Sequence, residues 1–253
     1  YRWHTYEEKM RALLPDGVRQ HLFRFLGGVY PKADWAPKIF RAKSTFEAMA
    51  RDSLEGYLHS VSIMSNQMRR SLFSEKLKND LQGYQAVEVF RRHARQAPVN
   101  HPLSLVQYLD IKTYLPGDIL TKVDRASMAN SLEIRVPLLD HRVVEFTAGL
   151  PEHFKYRNGT GKYLLKKLLA RYLPVSLFER PKMGFGVPID HWLRFELKDL
   201  LLDYLSAERL NREGLFNSGF VDKKIKEHLS GQVNHQYRLW PLLIWEMWRE
   251  RWL

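Results

Sequence analysis

Lys162 closes the run Asn158-Gly159-Thr160-Gly161-Lys162 and leads into an apolar helical stretch. Glycines allow tight backbone geometry, and a lysine where a helix opens can offer its charge to phosphate. The run resembles the tail of a Walker A loop, but the comparison fails at two positions. Tyr156 stands where the first glycine belongs, and Tyr163 follows the lysine in place of Ser or Thr. Residue types alone leave two options: an anion-binding lysine, or a glycine turn followed by a surface lysine. From Lys162 to Lys182, six basic residues (Lys162, Lys166, Lys167, Arg171, Arg180, Lys182) stand against one acid, Glu179. Such a run is either a solvated helix face or a phosphate-facing surface.

A second cluster precedes it. Asp118, Lys122, Asp124, Arg125, Glu133, Arg135 and Asp140 are set among apolar residues. Buried charges must be paired, so an internal salt-bridge network is expected, unless one or two of these groups orient a catalytic lysine. Gly184-Phe185-Gly186 begins like a dinucleotide fingerprint, but Ile189 fills the third glycine position and no strand precedes it. Metal chemistry has little to stand on. The 10 histidines are scattered, none forms HExxH, and there are 0 cysteines. No metal site is expected, and thiolate nucleophiles and disulfides are excluded.

The elements that must position these residues read as helix after helix. Val18, Leu22, Phe25, Leu26 and Val29 follow the helical period after the turn Pro15-Asp16-Gly17. Ser44-Thr45-Phe46-Glu47 has the form of a capping box opening a stripe from Phe46 to Val61. Ala86 to Ala97 predicts a basic helix ended by Pro98. Another runs from Pro102 and breaks at Pro116-Gly117. A loop around Asn158-Gly159 precedes the stripe Leu164, Leu165, Leu168, Leu169, Tyr172. Tyr237 to Trp252, apolar on most sides, reads as a buried closing helix, with Pro241 near its start or kinking it. No alternating strand pattern persists, so a mainly α fold with at most two or three short strands is expected.

Composition sets the outer bounds. The chain has 253 residues with 45% apolar content, enough for a sizeable core. No segment is apolar and long enough to suggest a transmembrane helix, and the first residues do not resemble a signal peptide. A cytoplasmic protein is expected. The net charge of +12 favours anionic partners, whether nucleic acid, acidic lipid or nucleotide phosphates.

Three segments decide among these. Asp124-Arg125-Ala126-Ser127-Met128 through Glu133-Ile134-Arg135-Val136-Pro137-Leu138-Leu139-Asp140 resembles the D-R-x-S-M…E-x-R-x-P-[FL]-L-D signature of glutamine-dependent asparagine synthetases. Gly161-Lys162-Tyr163-Leu164-Leu165-Lys166 is similar to that family's G-K-x-x-L-[RK]. Arg180-Pro181-Lys182-Met183-Gly184-Phe185-Gly186-Val187-Pro188 is similar to its [RK]-x-K-x-G-F-x-x-P stretch. Order and spacing also agree, and the resemblance is clear from about Ser104 onward.

The resemblance implies the helical C-terminal portion, residues 1–253, of an α/β ATP-pyrophosphatase-type synthetase domain. It implies an enzyme in which a carboxylate, aspartate in the family's main reaction, attacks the α-phosphate of ATP with Mg2+ present. Ammonia released from glutamine then attacks the acyl-adenylate. Lys162 takes the place of the lysine that contacts the phosphates, and Asp118 and Glu133 are candidates to orient it or to face substrate. Lys182 is a further phosphate-side candidate, while Arg135 and Asp140 look structural. The family's S-G-G-x-D-S loop, its Gly/Asp-rich segment and its glutaminase cysteine have no counterpart in this sequence. A piece of a longer polypeptide, inactive alone, docked on its own N-terminal domains and able to form a homodimer, is the expectation. A related ligase is the alternative, acting on another carboxylate as a β-lactam-synthetase-like or surface-polysaccharide enzyme does. A basic helical nucleic-acid-binding module is the rival of another class; nucleic acid is not the expected partner.

Overall fold

The computed structural model describes residues 1–30, 43–99, 101–180 and 186–253. From the amino end run α1 (Arg2–Leu13), α2 (Asp16–Val29), α3 (Lys43–Met49), α4 (Ser53–Val61), α5 (Asn66–Leu72), α6 (Glu75–Asp80) and α7 (Val87–Gln96). Next come α8 (Pro102–Lys112), α9 (Thr121–Met128), α10 (His141–Ala148), α11 (Glu152–Lys155) and α12 (Tyr163–Leu169). The last five are α13 (Ile189–Arg194), α14 (Lys198–Tyr204), α15 (Ala207–Glu213), α16 (Ser218–Leu229) and α17 (Gln236–Trp252). Among the described residues the one sheet is an antiparallel pair, β1 (Tyr156–Arg157) and β2 (Thr160–Gly161). The mainly helical build agrees with the periodicity of the sequence.

The chain divides into two compact units, Tyr1–Ser60 with Ala86–Lys182, and Val61–Gln85 with Met183–Leu253. In the first unit α8 is the central strut. Leu103, Val106 and Leu109 are buried along one of its faces, and Tyr57, Phe90 and Tyr156 pack around Leu103 and Val106. Asp110 on the same helix accepts a hydrogen bond from each of two phenols, Tyr1 and Tyr57, both at 2.6 Å. One carboxylate thereby ties the start of α1 and the middle of α4 to α8, and bonds of this kind are among the stronger ones.

The α3–α4 region departs from expectation. The stripe from Phe46 to Val61 predicts one helix, and the structure cuts it in two. Arg11 donates to the Ala48 carbonyl at 2.9 Å; Arg19 donates to the carbonyls of Met49 and Arg51. Two buried guanidinium groups thus take the carbonyls that end α3. Asp52 then accepts from the Glu55 N–H at 2.7 Å and opens α4 as its N-cap. Ser44, expected as a cap, lies within α3 (Lys43–Met49).

α2 forms where expected, but it is turned over. Arg19, Phe23 and Gly27 face inward, and Gly27 lets α3 approach so closely that a Cβ there would lie 3.2 Å from the Glu47 Cγ. Val18, Phe25 and Val29 of the predicted apolar stripe are 57%, 67% and 68% exposed.

In the second unit Leu193, Leu201, Leu205, Leu210, Val221, Ile225, Leu239 and Leu243 form the core. Ser74 caps α6 by accepting from the Leu77 N–H at 3.0 Å, and it donates to the Gly214 carbonyl at 2.6 Å. The closing helix α17 is half buried, which corrects the expectation of full burial. Leu239, Leu242, Leu243 and Glu246 recur every three or four residues and meet the core. Tyr237, Trp245, Trp248 and Trp252 fall on the other side and are exposed. Pro241 sits inside the helix, in its second turn.

Candidate active site

The Pro116-Gly117 pair, expected to break the chain after α8, instead sits in a π-helical turn over Leu115–Leu120. Pro116 lies near the start of that turn, where a missing N–H costs little. Its carbonyl accepts from the Thr121 hydroxyl at 2.7 Å, five residues on. π-Turns are uncommon and often mark functional segments. This one leads directly into α9, which carries the first residues of the signature.

After α9 the chain reverses on Ser131, whose φ of 55° is left-handed. The Ser127 carbonyl accepts both the Asn130 N–H at 2.9 Å and the Leu132 N–H at 3.0 Å. The extended stretch that follows returns along α9. An open hollow of roughly 640 Å³ lies between them, lined by Leu120, Thr121, Asp124, Ser127, Glu133 and Arg135, among others. Asp140 caps α10 through the Arg142 N–H at 3.0 Å, and its carboxylate is gripped by the Arg142 guanidinium at 3.0 Å. That guanidinium holds the Asp140 carboxyl below its usual range.

The charged cluster is not the buried network that its apolar setting suggests. Met128, Leu132, Ile134, Val136 and Leu138 are themselves exposed. The ion pairs are therefore local: Asp118 with Lys122 at 3.0 Å, four residues apart on a helical turn, and Glu133 with its near neighbour Arg135. Glu133 lines the hollow and Asp118 does not. Among the described residues neither carboxylate makes an ion pair with Lys162.

Lys162 is presented by the hairpin. Asn158 and Gly159 have φ of 48° and 80°, the positive pair that a two-residue turn demands. Tyr156 pairs with Gly161 and Arg157 with Thr160. Lys162 follows at once with φ of 56°, and α12 begins at Tyr163. The Lys162 carbonyl accepts from the Lys166 N–H at 2.9 Å. Its ammonium makes no ion pair or hydrogen bond among the described residues, whereas Lys166 is held by Glu179 at 2.6 Å. Lys182 and Gly184-Phe185 lie outside the described residues. The sequence reading missed the neighbours of Lys162. Arg157 and Lys167 flank the Tyr163 ring, at 5.4 and 5.3 Å from its centroid. The Asn-Gly pair between two short polar-aromatic stretches was the available signal for the hairpin that brings Arg157 there.

The family model described as asparagine synthase matches residues 18–250, most of the chain. The chain belongs to the asparagine synthase family. Asparagine synthetase [glutamine-hydrolyzing] 1 of Bacillus subtilis is 28% identical over 235 residues, covering 93% of this chain and 35% of that protein. A putative asparagine synthetase [glutamine-hydrolyzing] of Mycobacterium bovis is 39% identical over 148 residues, 58% of this chain and 22% of that protein. Amidase chyE of Penicillium rubens is 27% identical over 157 residues, 57% of this chain and 22% of that protein. The chain therefore spans about a third or less of the length of these relatives. No solved structure gives a significant match. Among the described residues, no helix is long and apolar enough to cross a membrane.

Proposed function

We propose that this chain supplies the helical part, residues 1–253, of an ATP-dependent amide-forming ligase of the asparagine synthetase type. The remainder of its synthetase domain would be an α/β ATP-pyrophosphatase core, and the setting would be cytoplasmic. In this reading aspartate is activated by ATP as an acyl-adenylate, and ammonia derived from glutamine displaces the nucleotide. The carrying observation is Lys162, an unpaired ammonium at a rigid hairpin–helix junction inside the family-matched region. Negative charge grows on the α-phosphate and on departing pyrophosphate as the bond between them lengthens. A positioned ammonium stabilises that charge more than it stabilises bound ATP. Glu133, in the hollow, is the substrate-side candidate; Asp118 supports the π-turn through Lys122, and Lys182 is the second phosphate-side candidate. No group of three or more acidic or histidine side chains among the described residues could hold Mg2+. Mg2+ held through nucleotide phosphates needs only one or two carboxylates, and these residues single out none for it.

The test is pyrophosphate release by the intact synthetase with saturating aspartate and ammonia. Lys162→Ala should lower turnover roughly 100-fold or more, with a much smaller change in the KM for ATP. Lys162→Arg should recover little, since a planar fork replaces a compact charge. Near-normal turnover of Lys162→Ala would reduce the Gly-x-Gly turn to helix punctuation. One relative is named an amidase and not an asparagine synthetase, so the second reading is a related ligase with another carboxylate as its acid. A panel of acids in the pyrophosphate assay separates the two.

A further inference from the structure

Lys162 occupies a left-handed backbone conformation, with φ of 56°, that is unfavourable for a residue with a side chain. It sits between two pieces that are each rigid by themselves. Behind it is the hairpin, fixed by its ladder; ahead is the first turn of α12. The two dihedrals of Lys162 form the hinge between them. Among the described residues one side-chain hydrogen bond joins the hairpin to α12, from the Arg157 Nη1 to the Tyr163 phenol oxygen at 3.3 Å. The same guanidinium lies over the Tyr163 ring, 5.4 Å from its centroid, and Lys167, one turn along α12, lies 5.3 Å from it. Hydrogen bonding to Lys167 and the charge of Arg157 also hold the phenol below its ordinary titration range.

We propose that Arg157, Tyr163 and Lys167 form a positioning clamp for Lys162, which fixes the direction in which its ammonium leaves the junction. The proposal rests on the reading of Lys162 as the phosphate-facing lysine. The contacts of Arg157 cross from β1 to α12 and so restrain the junction, while Lys167, on the same helix as Tyr163, steadies the ring from within α12. Losing the ring would therefore let the junction relax out of its left-handed state. The neighbouring Lys166 is drawn aside by Glu179, so Lys162 remains the ammonium that the clamp presents.

The experiment is a double-mutant cycle in the intact synthetase, read as pyrophosphate release with saturating aspartate and ammonia. Tyr163→Leu should lower kcat roughly tenfold, the scale expected when a catalytic group is misplaced by less than 1 Å. The KM for ATP should stay within about twofold, since ground-state binding is not what is lost. Tyr163→Phe keeps the ring and should recover most of the rate. In a Lys162→Ala background, Tyr163→Leu should cause no further loss, because the group it positions is gone. An equal loss in both backgrounds, or no loss from Tyr163→Leu while Lys162→Ala is crippled, would overturn the clamp and leave the Lys162 reading intact. Near-normal turnover of Lys162→Ala would overturn both. Should Tyr163→Leu fail to fold, Arg157→Met, at an exposed position on β1, carries the same cycle. Should aspartate not be turned over, hydrogen exchange on this chain decides. Faster exchange at the amides of residues 160–163 in Tyr163→Leu and not in Tyr163→Phe supports the clamp, and unchanged exchange in both refutes it.

Discussion

Glu246→Gln should stabilise this protein above neutral pH and remove a stability loss that the wild type suffers as pH rises. Glu246 is 0% exposed, on the inner face of α17. Its Oε2 accepts from the Arg249 Nε at 3.4 Å, and its Oε1 has no partner. Glu213 on α15 is nearly buried too, and its Oε2 is likewise without a partner. Arg249 also reaches Glu213; Arg209 is shared between Glu213 at 3.5 Å and Glu250 at 3.0 Å. Two facing carboxyls with orphaned oxygens are best satisfied by one proton held between them. Burial first, then the hydrogen bond and charge of Glu213, push the Glu246 carboxyl up from 4.5 to about 7, against the pull of Arg249. A folded-state value raised above the unfolded one means that the folded chain holds its proton more tightly. The resulting stabilisation is complete below about pH 4.5 and is lost as pH rises towards 7. At about 1.4 kcal/mol per unit, the whole loss is at most about 3.5 kcal/mol, and the sharing of the proton with Glu213 makes that a ceiling.

Glutamine supplies a permanent donor in place of the proton. Denaturant unfolding at pH 5, 6, 7 and 8, followed by the fluorescence of Trp245 and Trp248 on the same helix, should show the variant gaining on the wild type as pH rises. The gain at pH 8 should be about 1–3 kcal/mol and near zero at pH 5. Histidine titrations cancel in the difference between the two proteins. Equal pH slopes, or a Glu246→Gln protein less stable than wild type at pH 8, would refute the shared proton.

Other expectations follow from single contacts. Gly56→Ala would bring a Cβ against the Arg11 guanidinium and within 2.9 Å of the Ala48 carbonyl, so a loss of about 1–3 kcal/mol is expected in thermal melts. Leu243→Ala empties a fully buried position in the second unit and should cost about 2–5 kcal/mol in chemical unfolding. Ser74→Ala removes a helix cap and the bond to Gly214 together, and about 1–2 kcal/mol should be lost. His235 accepts from Arg238 at 2.7 Å and donates to Glu227 at 2.6 Å. Burial, foremost, lowers its pKa from 6.5. Its contribution is present above about pH 6.5 and fades as pH falls below it, so His235→Gln should shrink the acid-side loss of stability in the same titration.

Helix positions were readable because periodicity is local. The spans predicted around α2 and α7 reappear within two residues of their expected ends, and α8 and α12 begin where expected but end about three residues early. Which side of a helix faces inward was not readable, because that depends on a partner and not on the helix itself. On α2 the aliphatic stripe lies outside, and the inner side is Arg19, Phe23 and Gly27. Arg19 is drawn in by carbonyls at the end of α3, which no pattern within residues 16–29 reveals. Leu168 and Tyr172 in and after α12 are exposed for the same lack of a covering element among the described residues. The site was legible in part. A Gly-Lys junction and a charged signature could be picked out by residue type. The Arg157–Tyr163 stack could not, because it depends on a hairpin that brings together residues six apart in the chain. The local pairing of Asp118 and Glu133 also depended on exposure, which sequence spacing does not report.

The π-turn at Leu115–Leu120 makes the chain more tolerant of a change in length there than in the helix that follows. A π-turn holds about one residue more than an α-turn of similar rise, so removing one residue would let the segment tighten into ordinary α-helix. The loss would be absorbed within the turn, and α9 would keep its phase, with Asp124 and Ser127 still lining the hollow. The same deletion inside α9 has no extra residue to take up. Everything beyond it would advance by one step of the helix, about 100° of rotation and 1.5 Å of rise, while α9 itself remained a well-formed helix. Circular dichroism would barely register either deletion. Drift in length thus has unequal consequences on the two sides of Thr121. A relative one residue shorter within these six could build the wall of its hollow from the same side chains.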